Sequence, residues 1–257
     1  MTVRQNVPTG APCWVDLQSS DTAKSKAFYG GLLGWTAEEP NEEFGGYTNF
    51  QLDGERVAGL MQHQPGQGVA DVWSVYLAVD DAAATVQSAR DNGGDVLVDT
   101  MAVGDLGVMA VVVDPTGAVI GMWQPGEHRG GVVGTGGAPC HFELHTRDHA
   151  GALAFYEKVF GWSAATTSVI DTPELRYAVL EIADGENAGI MDASSFMPDG
   201  MPAHWDVYFA VDDIDAALAR VTELGGAVVQ PAEATPYGRL AVAADSTGAL
   251  FRLRADV

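Results

Sequence analysis

The chain is short of positive charge: 13 Lys and Arg stand against 35 Asp and Glu in 257 residues, a formal net charge of −22. A field of that sign repels nucleic-acid phosphates and anionic lipid surfaces, so neither is an expected partner. Cysteine is equally scarce. Cys13 and Cys140 fall one in each half of the chain, so no pair lies within a half to make a disulfide framework, and no Cys-x-x-Cys offers a zinc site. Two buried free thiols are expected. No apolar run approaches the roughly 20 residues that span a bilayer. The opening "MTVRQNVPTGAP" lacks the apolar core of a secretory signal, so a cytoplasmic protein is expected. There is no Gly-x-Ser-x-Gly elbow, and "GTGG" at 134–137 has neither a preceding strand nor a phosphate-loop Lys. Serine-hydrolase and nucleotide-cradle chemistry are thereby set aside.

What the chain does have is repetition. "APCWVDLQSSD" at 11–21 returns as "APCHFELHTRD" at 138–148, and residues 11–35 share 11 of 25 identities with 138–162. The match resumes at "WSVYLAVDD" (73–81) and "WDVYFAVDD" (205–213), then at "DPTGA" (114–118) and "DSTGA" (245–249). "PGEHRGGVVGTGG" (125–137) is Gly-rich and carries no periodic apolar pattern. The expected organisation is a first domain at 1–126, a linker at 127–137 and a second domain at 138–257.

Each half is itself doubled. Asp21, Asp81, Asp148 and Asp213 follow strand-like runs and are placed to cap helices by accepting orphan amide hydrogens. In "DIDAALARVTELGG" (213–226), Ile214, Ala217, Leu218, Val221 and Leu224 form one apolar stripe that Gly225-Gly226 ends. Short strand-like runs follow each helix, so one unit is a strand, a helix and about three strands. The first strand alternates: Trp14, Asp16 and Gln18 on one face, Val15 and Leu17 on the other. The sheet of such a unit buries one face against its helices and leaves the other free.

These paired units, with their "FY…GW" helix ends and Asp-x-x-Gly turns before the last strand, resemble the vicinal oxygen chelate superfamily of glyoxalases, bleomycin-resistance proteins and extradiol dioxygenases. The likeness covers nearly the whole chain, closest in kind to tandem actinobacterial proteins described as glyoxalases or antibiotic-pathway "hydroxylases". It implies an α+β fold of two tandem domains, each of paired βαβββ units whose sheets curl into an open barrel-like cleft. It also implies places for metal ligands on the first, fifth and eighth strands, and at times the fourth. These fall on Trp14, Ser74, Gly121 and Gly59 in the first half, and on His141, Asp206, Arg252 and Gly189 in the second.

The first half supplies no metal donor there, and Arg252 is a cation that would repel one. No cofactor is therefore expected; the alternative is a divalent metal in the second half on His141, Glu143 and Asp206. By alternation His141, Glu143 and His145 share a face with Asp206 and Tyr208 of the fifth strand and Arg252 and Arg254 of the eighth. His141, Glu143, Asp206 and Arg252 form either an acid–base site or an ion-pair network tying the sheet together. Trp14, Tyr76 and Trp123, with Asp16, Gln18 and Ser74, suit a flat apolar ligand or simply fill the first cleft. "MDASSFMPDGMPAHW" (191–205) reads as a lid or a surface loop. Two functions stay open: a binding protein for a small aromatic or amphipathic molecule, or a glyoxalase-like lyase or isomerase acting on a carbonyl compound. A duplicated chain already contains its own pseudo-symmetric pair, so a monomer is expected.

Overall fold

A computed structural model describes residues 2–3, 7–63, 70–134, 136–163, 167–172, 175–182 and 185–256. The first half runs β1 (Pro12–Ser19), α1 (Thr22–Leu33), β2 (Thr36–Ala37), β3 (Thr48–Leu52), β4 (Glu55–Gln62), β5 (Val72–Ala78), α2 (Ala82–Asp91), β6 (Asp95–Val103), β7 (Gly107–Val113) and β8 (Val119–Pro125). The second repeats it as β9 (Pro139–Thr146), α3 (His149–Phe160), β10 (Thr167–Asp171), β11 (Arg176–Ile182), β12 (Gly185–Asp192), β13 (His204–Ala210), α4 (Ile214–Glu223), β14 (Ala227–Thr235), β15 (Gly238–Ala244) and β16 (Leu250–Ala255). The strands form two open eight-stranded sheets of identical order, β2-β3-β4-β1-β5-β8-β7-β6 and β10-β11-β12-β9-β13-β16-β15-β14. Each is the paired βαβββ arrangement.

All four helices start as their sequences direct. Asp21, Asp81, Asp148 and Asp213 accept the amides of Lys24, Ala84, Gly151 and Ala216. α1 and α3 stop at Gly34 and Gly161, both left-handed, a conformation that side chains with a Cβ resist. In α4, Ile214, Ala217 and Val221 are buried, with Leu218 and Leu224 packed at the margin.

Strand alternation decides what faces where. Val15, Leu17, Phe142 and Leu144 enter one core that runs through both halves. Trp14, Asp16, His141, Glu143 and His145 occupy the opposite faces, although they too are buried. Helix α1 packs against α4, and α2 against α3. Trp35 donates its indole N–H to the Gly137 carbonyl at 3.0 Å and Trp162 donates to Gly10 at 2.9 Å, so each repeat closes on the other. Both tryptophans are nearly inaccessible, as expected for core residues.

Neither Cys13 nor Cys140 is in a disulfide, but only Cys13 is fully buried; Cys140 is half-buried, a correction to the expectation. Part of the Gly-rich stretch packs against the first half, and its residue 135 lies outside the described residues. Gly131 donates to the Cys13 carbonyl at 3.2 Å, and Val132–Val133 pair with Thr2–Val3. Among the described residues no helix is long and apolar enough to cross a membrane.

Candidate functional site

The backbone register brings the same six positions together in each sheet. Asp16 lies beside Ser74 and Gly59, and Tyr76 beside Trp14 and Gly121. In the second half Glu143 lies beside Asp206 and Gly189, and Tyr208 beside His141 and Arg252. The two clusters share one design, a buried carboxylate capped by tyrosines, but their remaining partners differ.

In the first half Trp14 donates its indole N–H to Asp16 Oδ1 and to the Tyr47 hydroxyl, each at 2.8 Å, and Tyr47 donates to Asp16 at 2.5 Å. Burial raises the Asp16 pKa, against the pull of hydrogen bonds from Tyr47, Trp14 and Tyr76. Trp14, Tyr76 and Trp123 pack on one another with Cys13 and Ala78. His128, from the stretch after β8, sets its ring edge-on to Trp14 at 4.4 Å, while its carbonyl accepts the Trp123 indole N–H at 2.8 Å. Gln18 and Ser74 remain half-buried at the margin. This cluster is filled by its own side chains.

In the second half Glu143 is the hub. Its Oε1 accepts from His145 Nε2 at 2.6 Å and from the Tyr208 hydroxyl at 2.8 Å, and its Oε2 accepts from the Tyr177 hydroxyl at 2.8 Å. Burial alone would raise its pKa, but the hydrogen bonds and charges of His141 and His145 hold the carboxyl well below the usual range. Glu143 is therefore an anion that accepts three hydrogen bonds, two on Oε1 and one on Oε2. Because the Tyr177 proton goes to Glu143, the Tyr177 oxygen accepts from His141 Nε2 at 2.9 Å, which leaves His141 Nδ1 buried and without a partner.

Asp206 lies one step outward. It accepts from Arg252 Nε at 2.7 Å and stands 3.5 Å from His145 Nδ1 and 3.6 Å from His204 Nε2. The Arg252 guanidinium reaches His145 Nδ1 at 3.3 Å and sits 5.5 Å above the Tyr208 ring. The rim is formed by the loop after β12. Arg147 holds that loop by donating to the carbonyls of Met197, Pro198 and Met201, and exposed Phe196 meets the His145 ring edge-on at 5.5 Å.

The structure thus gathers His141, Glu143, His145, Asp206, Tyr208 and Arg252 in one network. Sequence reasoning missed Tyr47, Tyr177 and His204. His204 was within reach, since it shares the alternation of Asp206 and Tyr208. The signal for the tyrosines was glycine: a Cβ on Gly59 would overlap Tyr47 and Asp16, and one on Gly189 would overlap Tyr177. Strand glycines mark such close approach. The fourth-strand place that a ligand occupies by family resemblance is here cut back to admit a tyrosine hydroxyl.

Arg252, bonded to Asp206, stands at one of the places that the family resemblance gives to a metal ligand, and a guanidinium is not a metal donor. Among the described residues, donor atoms within 4.8 Å of one another come instead from His145, His204 and Asp206. His141 and Glu143 do not belong to that group.

The family model described as the Glyoxalase/Bleomycin resistance protein/Dioxygenase superfamily matches residues 13–122 and again 139–253. The chain belongs to that superfamily. It is 39% identical over 257 residues to "Putative glyoxylase CFP32" of Mycobacterium tuberculosis, covering 98% of this chain and 97% of the relative. It is 38% identical over 259 residues to the anthracycline biosynthesis protein DnrV of Streptomyces peucetius, covering 94% and 92%. Among solved structures, the 2,3-dioxygenase LapB of Pseudomonas sp. KL28 superposes with a TM-score of 0.66 at 12% identity, covering 97% of this chain and 93% of that one. The Mn(II)-bound glyoxalase of Novosphingobium aromaticivorans gives 0.62 at 17%, covering 96% and 84%. At such identities the superfamily's structures share the fold with this chain.

Proposed function

We propose that this superfamily member binds a small aromatic or amphipathic molecule in the cleft of its second half without a metal, as a sequestering, resistance or accessory protein of small-molecule metabolism. The observation that carries the reading is the Arg252–Asp206 pair at 2.7 Å, which puts a fixed positive charge where the superfamily's chelators put a metal ligand. A guanidinium offers planar, directional donors to a carbonyl or phenolic oxygen. The anthracycline biosynthesis relative adds support, because anthracyclines are flat fused-ring aromatics bearing such oxygens. The protein acts as a cytoplasmic monomer in this reading. The test is calorimetric titration of chelator-treated protein with the dihydroxyanthraquinone quinizarin. Saturable binding that survives the chelator supports the proposal, and binding only after metal is restored overturns it.

A second reading rests on the converging donors of His145, His204 and Asp206. With a divalent cation there, the site would be that of a glyoxalase-like lyase or isomerase polarising a carbonyl substrate. Stoichiometric metal in the purified protein, lost in His204→Ala, would favour it.

A further inference from the structure

The two halves diverge most where they are most alike in backbone. In the first half Val7, Cys13, Ala78 and Trp123 pack together at the end of the cleft away from Gln18. The equivalent residues of the second half are Gly134, Cys140, Ala210 and Arg254, as the repeat and the matching strand registers dictate. Two bulky apolar groups have become a glycine and an arginine. In the first half His128 and Gly131 also press on this end, and a Cβ on Gly131 would overlap the Trp14 ring. In the second half the same place is a cavity of about 530 Å³, whose lining includes Cys140, Ala210, Val211, Asp212, Arg254 and Asp256, with Gly134 beside them.

We infer that this cavity is a binding site for a flat, uncharged aromatic of two or more fused rings carrying a carbonyl or phenolic oxygen, the ring lying where the first half places the Trp123 indole. The inference rests on the binding reading above and says which part of the cleft takes the ring. The volume lies within the range of small-molecule pockets. Arg254 lies two residues from Arg252 on the same face of β16 and is the group that reads the oxygen. Its carboxylate neighbour, Asp256, is 3.6 Å away with an 85% exposed side chain, so a ligand oxygen displaces a weak contact. Cys140 closes the floor without competing as a nucleophile, because burial pushes its thiol up to about 12 and its S–H points to the Tyr208 carbonyl at 3.4 Å. Asp212, Asp256 and the net charge of −22 select against an anion.

The experiment titrates full-length wild type, Arg254→Trp, Arg254→Ala and His204→Trp with quinizarin. Arg254→Trp gives the second half the first half's own filler and should abolish binding. Arg254→Ala should weaken it roughly tenfold or more, the worth of a hydrogen bond to a charged group. Arg176→Ala, which lines a different cavity beside Asp171 and Ser194, should leave affinity unchanged. Near-ultraviolet circular dichroism shows whether each variant is folded, and if Arg254→Trp is not, Ala210→Leu fills the same space. Binding that persists in the filled variants and disappears in His204→Trp puts the ring against the histidine–carboxylate network, which overturns this inference and leaves the binding reading standing. A wild type that does not bind quinizarin at all overturns both.

Discussion

Arg252 donates its Nε–H to Asp206 at 2.7 Å with both side chains largely out of water, 18% and 10% exposed. Burial works against the guanidinium charge, yet Asp206, Tyr208 and Glu143 outweigh it and hold the Arg252 pKa above its ordinary value. Arg252→Met strands the Asp206 carboxylate and should cost about 3 kcal/mol, the scale for breaking a buried pair from one side. Replacing both, as Arg252→Met with Asp206→Leu, should recover most of that loss. Urea unfolding of the two single variants and the double variant measures it; a double variant as unstable as the sum of its parts would remove the ion-pair account.

The same network makes a prediction about glycine. A methyl on Gly189 meets the Tyr177 hydroxyl, and one on Gly59 meets Tyr47 and Asp16. Each Gly→Ala change should destabilise by roughly 1–3 kcal/mol, the cost of overpacking. Adding Tyr177→Phe removes the nearest overlapping atom, so Gly189→Ala should cost less in that background than in the wild type. Equal costs in both backgrounds would mean that the strand, and not the hydroxyl, resists the methyl.

Tyr177 links Glu143 to His141, and its loss should be felt at both ends. Tyr177→Phe leaves one Glu143 lone pair and the His141 Nε2–H without a buried partner, a loss of about 1–3 kcal/mol. The Glu143 carboxyl is held down by His141 and His145, so it should remain ionised at neutral pH in the variant. Nuclear magnetic resonance of the carboxyl carbon across an acid titration reads this directly; a Glu143 that titrates near neutrality in the variant would show that Tyr177 is what keeps it charged.

Much of this architecture was legible because its signals are local. Four capping aspartates, the left-handed glycines after α1 and α3, and the alternation of Val15 and Leu17 against Trp14 and Asp16 each depend on residues within a few positions. Duplication then doubled every signal. The site was less legible, because its partners meet only across the sheet. Gly59 and Gly189 read as absent ligands until Tyr47 and Tyr177 are seen to fill the space above them. His128 sits in a stretch that composition marks as a linker, and only the fold brings its ring against Trp14. The cavity beside Arg254 is a difference between two long-range packings, Val7 with Trp123 against Gly134 with Arg254, which no local pattern records.

His128 gives the first-half cluster a pH dependence whose sign follows from its surroundings. Burial, aided by the positive charge of Arg56, lowers its pKa to about 4 from an ordinary value of 6.5. Its Nε2 is buried without a hydrogen-bond partner, so the ring is held neutral between Trp14 and Trp123. In the unfolded chain the imidazole takes up a proton as pH falls through 6.5, while in the folded chain it resists until about 4. Between those values the unfolded state binds more protons, so His128 costs stability progressively as the solution is acidified. His128→Gln cannot titrate and should flatten this part of the profile. Urea midpoints followed by tryptophan fluorescence from pH 7 to pH 4 compare the two proteins. If the variant loses stability over that interval as steeply as the wild type, the loss arises from groups other than His128 and not from the ring against Trp14.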